Sequence, residues 1–398
     1  MWRRIAPARL AVVGSLEPTH GLDCVKRCVM KAITVHPGSR QVKILDHKEP
    51  KLEKPTDVKL RVLDVGVCGT DKEICQFEYG TPPKGDDYLV LGHECLGEVV
   101  ETGSDVAGLK AGDLVVPMVR RPCGKPECIA CANGRQDYCY TGGFTERGIK
   151  EQHGYMTELI VDSARYMNRV PRELRDVGVL VEPLTIAEKG LEQLWKVQQR
   201  FPWSGDESGK ASSGANAVVL GAGPVGLLGA MALILAGFKT YVYSRAPKPN
   251  EKADLVESIG ARYVSSKTDS VEQLAEQIGN IDVIYEAIGQ SGTSYELMKG
   301  LGTNGVFIFT GVPPQHGGGK VDTDLIMRNM VLKNQVVLGT VNAGKSTFEA
   351  AIRDLAIFKD RWPSPTKALL TGRFPMEEHG ELLLGNPSGI KNCIAIGS

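Results

Sequence analysis

Cys68, His93 and Glu182 could together hold one divalent cation, through a thiolate, an imidazole and a carboxylate. Cys68 stands in Gly66-Val67-Cys68-Gly69-Thr70-Asp71, His93 in Gly92-His93-Glu94, and Glu182 in Val181-Glu182-Pro183-Leu184. One thiolate, one imidazole and one or two carboxylates suit zinc and leave a position open for water or a substrate oxygen. Taken singly, each has a plainer reading. Cys68 could be a core residue, His93 a turn histidine with its hydrogen bonds met, and Glu182 an acid at a helix start.

Cys123, Cys128, Cys131 and Cys139 form C-x4-C-x2-C-x7-C in a loop containing glycine and proline. Four thiolates complete a tetrahedral zinc shell with no open position, so this spacing predicts a structural site. The alternative is four reduced free thiols. Cys75, Cys95 and Cys393 read as small buried apolar residues.

Gly221-Ala222-Gly223-Pro224-Val225-Gly226 follows the β-rich run Ala217–Leu220 and precedes a long apolar helix. In that context it is a dinucleotide fingerprint. The first glycine makes the tight turn, the second admits the pyrophosphate, and the third packs helix on sheet, with the helix N-terminus facing the phosphates. The next strand ends Tyr243-Ser244-Arg245, with Lys248 near and no carboxylate before Glu251. A hydroxyl with cations suits a ribose 2′-phosphate, so NADP is expected to bind, with NAD not excluded. A competing motif, Gly339-Thr340-Val341-Asn342-Ala343-Gly344-Lys345-Ser346, matches the phosphate loop of an NTPase. The fifty or so residues after it do not supply the further βα units and strand-end aspartate that such an enzyme needs for magnesium.

Two textures position these groups. From Met30 to about Val170, short β-rich runs (Lys59–Val67, Leu96–Thr102, Asp113–Val119, Met156–Val161) punctuated by Gly, Pro and Asp predict a small antiparallel, barrel-like module. Helical spacing then takes over at Gly178–Val197, and Ser204–Gly214 reads as a loop. Beyond it, strands at Ala217–Leu220, Thr240–Tyr243, Ala261–Val264, Ile281–Tyr285, Gly305–Thr310 and Val336–Leu338 alternate with helices. That alternation predicts a doubly wound parallel sheet, hence an α/β chain. A last helix is expected at Thr347–Phe358, with short strands after it.

The composition narrows the partners. The 398 residues carry 47 basic and 47 acidic side chains, which removes the electrostatic reason for a nucleic-acid or anionic-membrane partner. No run of about 18 apolar residues predicts a membrane span. Ten cysteines in a chain of this size, four of them clustered, point to a reducing, cytoplasmic setting rather than a disulfide scaffold. Arg3, Arg4 and Arg9 beside Leu10–Val13 only faintly suggest a targeting peptide, because the apolar stretch is short and no good cleavage site follows. Residues 1–29 are read as an extension, disordered or outside the functional start, with Met30 favoured as that start.

Cys68-Gly69-Thr70-Asp71, Gly92-His93-Glu94, the four-cysteine lobe and Gly221–Gly226, in this order, resemble the zinc-containing medium-chain dehydrogenases. Within that family, Arg120-Arg121, Thr141–Ile149 and Glu182–Lys189 are most similar to the archaeal-type glucose 1-dehydrogenases. The resemblance implies a GroES-like β-rich catalytic domain (30–186 with 343–398), an inserted Rossmann domain (187–342), and an active site in the cleft between them. It implies a catalytic zinc on Cys68, His93 and Glu94, with Glu182 as ligand or as partner to substrate and water. It places Thr70, Glu146, Glu182 and Asn342 against the sugar, gives Thr70 a part in passing the proton outward, and sets Thr310-Gly311-Val312 and Thr340-Val341-Asn342 at the nicotinamide end. The implied reaction is oxidation of an aldose, D-glucose foremost, to the lactone, with a dimer or tetramer as the assembly. A polyol or secondary-alcohol dehydrogenase and a non-catalytic NADP-binding protein are the alternatives. Two departures stand out: the extra residues between Cys123 and Cys128, and Ser244-Arg245 where relatives often carry two arginines.

Overall fold

The computed structural model describes residues 29–202, 211–212, 214–314 and 319–397. The expected extension at 1–29 (apart from Val29), Cys24, Cys28, and most of the Ser204–Gly214 loop lie outside the described residues.

The strand Asp57–Gly66 organises the first texture. Its Val58, Leu60, Val62 and Val65 are fully buried. Such a strand must be covered on both faces, and its backbone must be paired along both edges. It pairs antiparallel with Glu94–Thr102 on one side and with Leu159–Ser163 and Lys391–Ala395 on the other. A seven-stranded sheet results, and its last strands come from the far end of the chain. The predicted antiparallel module is therefore present, joined by the C-terminus.

The second texture forms a six-stranded, all-parallel sheet. In spatial order its strands are Arg262–Ser265, Lys239–Ser244, Asn216–Leu220, Val283–Glu286, Val306–Phe309 and Val336–Gly339. The chain direction of the winding reverses between Asn216–Leu220 and Val283–Glu286. Ligands of such sheets bind at that reversal, outside the carboxyl ends of the strands. The helix Val181–Gln198 packs on both the Pro224–Leu235 and Lys345–Arg361 helices. One apolar core runs from Leu63 and Leu96 through Leu184 to Leu227 and Phe348, so the two sheets share it.

Several elements were not anticipated. Gln41–Lys48 forms a hairpin with Val29–His36, and Pro363–Ala368 and His379–Leu384 form six-residue helices. Among the described residues, no helix is long and apolar enough to cross a membrane.

Candidate active site

Backbone chemistry sets the first two groups. Cys68 caps the helix Gly69–Cys75, and its amide donates to Asp71 Oδ2 at 2.9 Å. Gly92, at φ +89, turns the chain so that His93 faces Cys68. A Cβ at Gly92 would sit 2.7 Å from Met156 and Val65, so only glycine fits this turn. The Cys68 sulfur lies 3.1 Å from His93 Nε2, and Asp71 Oδ1 lies 3.4 Å from His93 Nδ1. A carboxylate behind one ring nitrogen fixes the imidazole and leaves the other free to ligate. Asp71 was not singled out from the sequence, although a carboxylate three residues after a cap is a readable signal.

Glu182 enters from the first turn of the Val181–Gln198 helix. Cys68, Asp71 and His93 offer ligand atoms within 4.8 Å of one another, and so do His93, Glu94 and Glu182. Two triads thus share His93. Glu94 is ion-paired with Lys391, which is also buried and donates to the Val67 carbonyl at 3.0 Å. Burial pushes the Cys68 thiol up, and burial with the nearby Glu94 pushes the Glu182 carboxyl up to about 7, against the pull of His93 and Lys391. Burial alone would lower the His93 imidazole, but Cys68 and Asp71 carry it well above its usual range. A thiol, an imidazole and two carboxylates gathered at His93, with Asp71 behind the ring, form a donor set that a divalent cation fits.

The four-cysteine lobe is also assembled. The sulfurs of Cys123, Cys128, Cys131 and Cys139 lie within 4.8 Å of one another. The two extra residues after Cys123 are absorbed in the loop, where the Cys123 amide donates to the Cys131 sulfur at 3.4 Å. Burial would raise the Cys139 thiol, yet hydrogen bonds from Thr141 draw it down to about 6. Cys139 is thus held ready as the thiolate that ligates metal, whereas burial pushes the Cys131 thiol up to about 12.

At the parallel sheet the fingerprint glycines take distinct roles. Gly221 has φ +111, and a Cβ there would strike Ile288 at 2.4 Å. Gly223 caps the Pro224–Leu235 helix with open space where its side chain would be, which leaves room for a phosphate. A Cβ on Gly226 would meet the Gly221 carbonyl at 2.2 Å, so this glycine permits helix–turn contact. Pro224 and Val225 form the helix start, while Ser244 and Arg245 close the second strand, Arg245 exposed. A cavity of about 320 Å³ runs along Thr310, Gly311 and Val312, past Thr340 and Val341, to Lys189 and Asp137.

Glu286 at the end of its strand is fully buried and was missed in the sequence. Its Oε1 accepts from the amides of Ile288 and Gly289 at 2.8 and 2.7 Å, and its Oε2 from Gly311 at 3.0 Å.

Glu146 is buried, and its Oε1 accepts from Asn342 Nδ2 at 2.9 Å and Arg120 Nε at 3.0 Å. Glu146 and Asn342 are therefore brought together, 196 residues apart in the chain. Thr70 is half-buried in the first turn after Cys68. The phosphate-loop motif is committed elsewhere: the Val341 carbonyl accepts from Lys189 Nζ at 2.8 Å, and Asn342 bonds Glu146.

Residues 54–172 match the alcohol dehydrogenase GroES-like domain family, and residues 175–396 match the family described as glucose dehydrogenase C-terminus. A glucose 1-dehydrogenase of Thermoproteus tenax is 40% identical over 92% of this chain and 99% of its own length. One of Methanocella arvoryzae is 37% identical over 93% of this chain and all of its own. Among solved structures, Haloferax mediterranei glucose dehydrogenase in complex with NADP, Zn and gluconolactone superposes with a TM-score of 0.82 at 33% identity, covering 93% of this chain and all of that one.

Proposed function

Because the chain belongs to the medium-chain dehydrogenases with a GroES-like domain and a glucose dehydrogenase C-terminus, we propose that it oxidises an aldose at C1. D-Glucose is the foremost substrate, D-glucono-1,5-lactone the product, and NADP or NAD the hydride acceptor. The observation that carries this reading is the 3.1 Å contact between the Cys68 sulfur and His93 Nε2, with Glu94 and Glu182 within ligand reach of the same imidazole. Support comes from the relatives named glucose 1-dehydrogenase and the neighbour bound to NADP, Zn and gluconolactone.

Cys68, His93, Glu94 and Glu182 would hold the catalytic zinc, and Cys123, Cys128, Cys131 and Cys139 a structural one. When bound, zinc supplies Lewis acidity toward a sugar oxygen, and the nicotinamide supplies the acceptor of the hydride. The protein's share is orientation and proton handling. Asp71 holds the His93 ring from behind. Glu182, buried and within ligand reach of His93, can orient a sugar hydroxyl or a water through its own oxygens. The Thr70 hydroxyl can pass the sugar's proton outward. Glu146, fixed through one oxygen by Arg120 and Asn342, offers its Oε2 to sugar hydroxyls. Residues 30–186 and 343–398 make the catalytic part and 187–342 the nucleotide part.

A homo-oligomer is supported by the helix Thr323–Leu332, which buries none of its residues and exposes Met327, Val331 and Leu332 beside the edge strand Val336–Gly339. Aldose-dependent reduction of NADP and NAD, side by side, with and without chelator, tests the proposed activity. Chelator-insensitive turnover, or none with any aldose but good turnover of a polyol, would replace this reading.

A further inference from the structure

Asp137 lies in the four-cysteine lobe, yet its contacts lead into the cleft. Its Oδ1 accepts from Arg135 Nε at 3.1 Å, and its Oδ2 from Arg135 Nη2 at 3.0 Å and from Lys189 Nζ at 3.1 Å. Lys189 is 2% exposed, and the same ammonium donates to the Val341 carbonyl at 2.8 Å. The next residue, Asn342, donates to Glu146 Oε1, and its own Oδ1 accepts from the Ala343 amide at 2.9 Å. Arg120 donates to the same Glu146 oxygen and, through Nη1, to the Asp137 carbonyl at 3.2 Å. The contacts close a circuit: Asp137, Lys189, Val341, Asn342, Glu146, Arg120 and back to Asp137.

Every bond in this circuit but the one from Asn342 has a charged donor. Such bonds are stronger than neutral ones, and low-dielectric surroundings strengthen them further and raise the cost of breaking them. The Lys189 ammonium has three donors, and two are aimed at segments that share no strand or helix: the lobe and the Thr340–Asn342 segment. Displacing it frees both segments at once. Glu146, held through one oxygen from both sides of the circuit, cannot keep its place when either side moves.

We infer that Lys189 and Asp137 are positioning residues that set the sugar-facing Glu146 and the nicotinamide-facing Thr340–Asn342 segment as one unit, coupling the four-cysteine lobe to the catalytic cleft. This rests on the reading that Glu146 faces the sugar and Thr340–Asn342 the nicotinamide. A buried ion pair that merely holds the lobe down would lower the melting temperature and leave the affinities alone.

The test uses the zinc-loaded, full-length protein with Lys189→Met, and Asp137→Asn as a second route should the first fail to fold. Three quantities are read: the Kd for NADP without sugar, the Kd for adenosine 2′,5′-bisphosphate, which occupies only the adenosine end, and the KM for the aldose. Removing a hydrogen bond from a charged donor predicts about a tenfold rise in the NADP Kd and in the aldose KM. The fragment Kd stays within about twofold and the zinc content is unchanged. Combining Lys189→Met with Glu146→Gln gives a smaller rise in aldose KM than the product of the two single effects. NADP Kd and aldose KM both within about twofold of wild type overturn the inference, and so does an equal loss of fragment affinity. A wild-type protein that binds NADP but oxidises no aldose defeats the proposed function, while the contrast between NADP and fragment still decides the coupling.

Discussion

Replacing Glu286 by Gln changes one atom in a fully buried side chain that serves three amides. A carboxylate accepts at both oxygens, whereas a carboxamide accepts at one and donates at the other. The best arrangement keeps the amide oxygen on Ile288 and Gly289, leaving an NH2 group facing the Gly311 N–H. That unsatisfied donor costs about 1–3 kcal/mol. The two surviving bonds fall from charge-assisted to neutral and lose roughly half their strength. Neutralising a buried charge returns part of this. The net is about 2–4 kcal/mol of unfolding free energy, or about 2–5 °C in melting temperature for a chain of this length. The loops 287–289 and 310–312 touch, since a Cβ on Gly311 would sit 2.1 Å from the Gly289 nitrogen. Loosening them also raises the NADP Kd by about three- to tenfold. Denaturant unfolding and equilibrium nucleotide binding measure both quantities. An E286Q protein within about 0.5 kcal/mol of wild type, with unchanged NADP affinity, refutes the reasoning.

Three further perturbations test other parts of the molecule. Cys68→Ala or His93→Ala abolishes turnover while NADP binding stays within about twofold, because the fingerprint lies on the other sheet; equilibrium titration beside steady-state kinetics checks this. Burial works against the Asp162 charge, but Arg147 and Arg121 hold its carboxyl down to about 2, so its stabilisation is complete above about pH 4 and is lost as pH falls toward 2. Asp162→Asn leaves two buried guanidiniums with backbone carbonyls but no counter-charge and costs about 3–5 kcal/mol at neutral pH, read by urea unfolding. Burial and the neighbouring His47 hold His153 down to about 4, against the pull of Asp86, and its Nδ1 accepts the Val90 amide at 3.1 Å. Its contribution is therefore full above about pH 6.5 and lost as pH falls toward 4, about 1–2 kcal/mol after allowing for partial exposure. His153→Asn keeps an acceptor for Val90 and flattens that acid slope in unfolding experiments from pH 7 to 4.

The residues legible in the sequence are those whose chemistry is local. Gly221, Gly223 and Gly226 are dictated by one turn and its helix, and the four cysteines by one loop. The alternation of strands and helices after Ala217 carries the parallel sheet with it. The hairpin strand Gln41–Lys48 stayed hidden because it is half-exposed along its length and mixes lysines, Asp46 and His47 among its apolar residues. The helices Pro363–Ala368 and His379–Leu384 are under two turns, too short for a 3.6-residue period to register. Partners distant in sequence were unreadable for another reason. Nothing in the run around Lys391 indicates that its ammonium meets Glu94, nearly three hundred residues earlier, or that Lys189 reaches both Asp137 and Val341.

The strand Lys391–Ala395 closes the first sheet against Asp64–Gly66 and brings Lys391 to Glu94. Synthesis therefore completes the parallel sheet at Gly339 before the strand that pairs Asp64–Gly66 has emerged, so the nucleotide half can fold while the first sheet is still open. A chain stopped before Lys391 would keep its dinucleotide crevice facing a buried carboxylate stripped of its counter-ion.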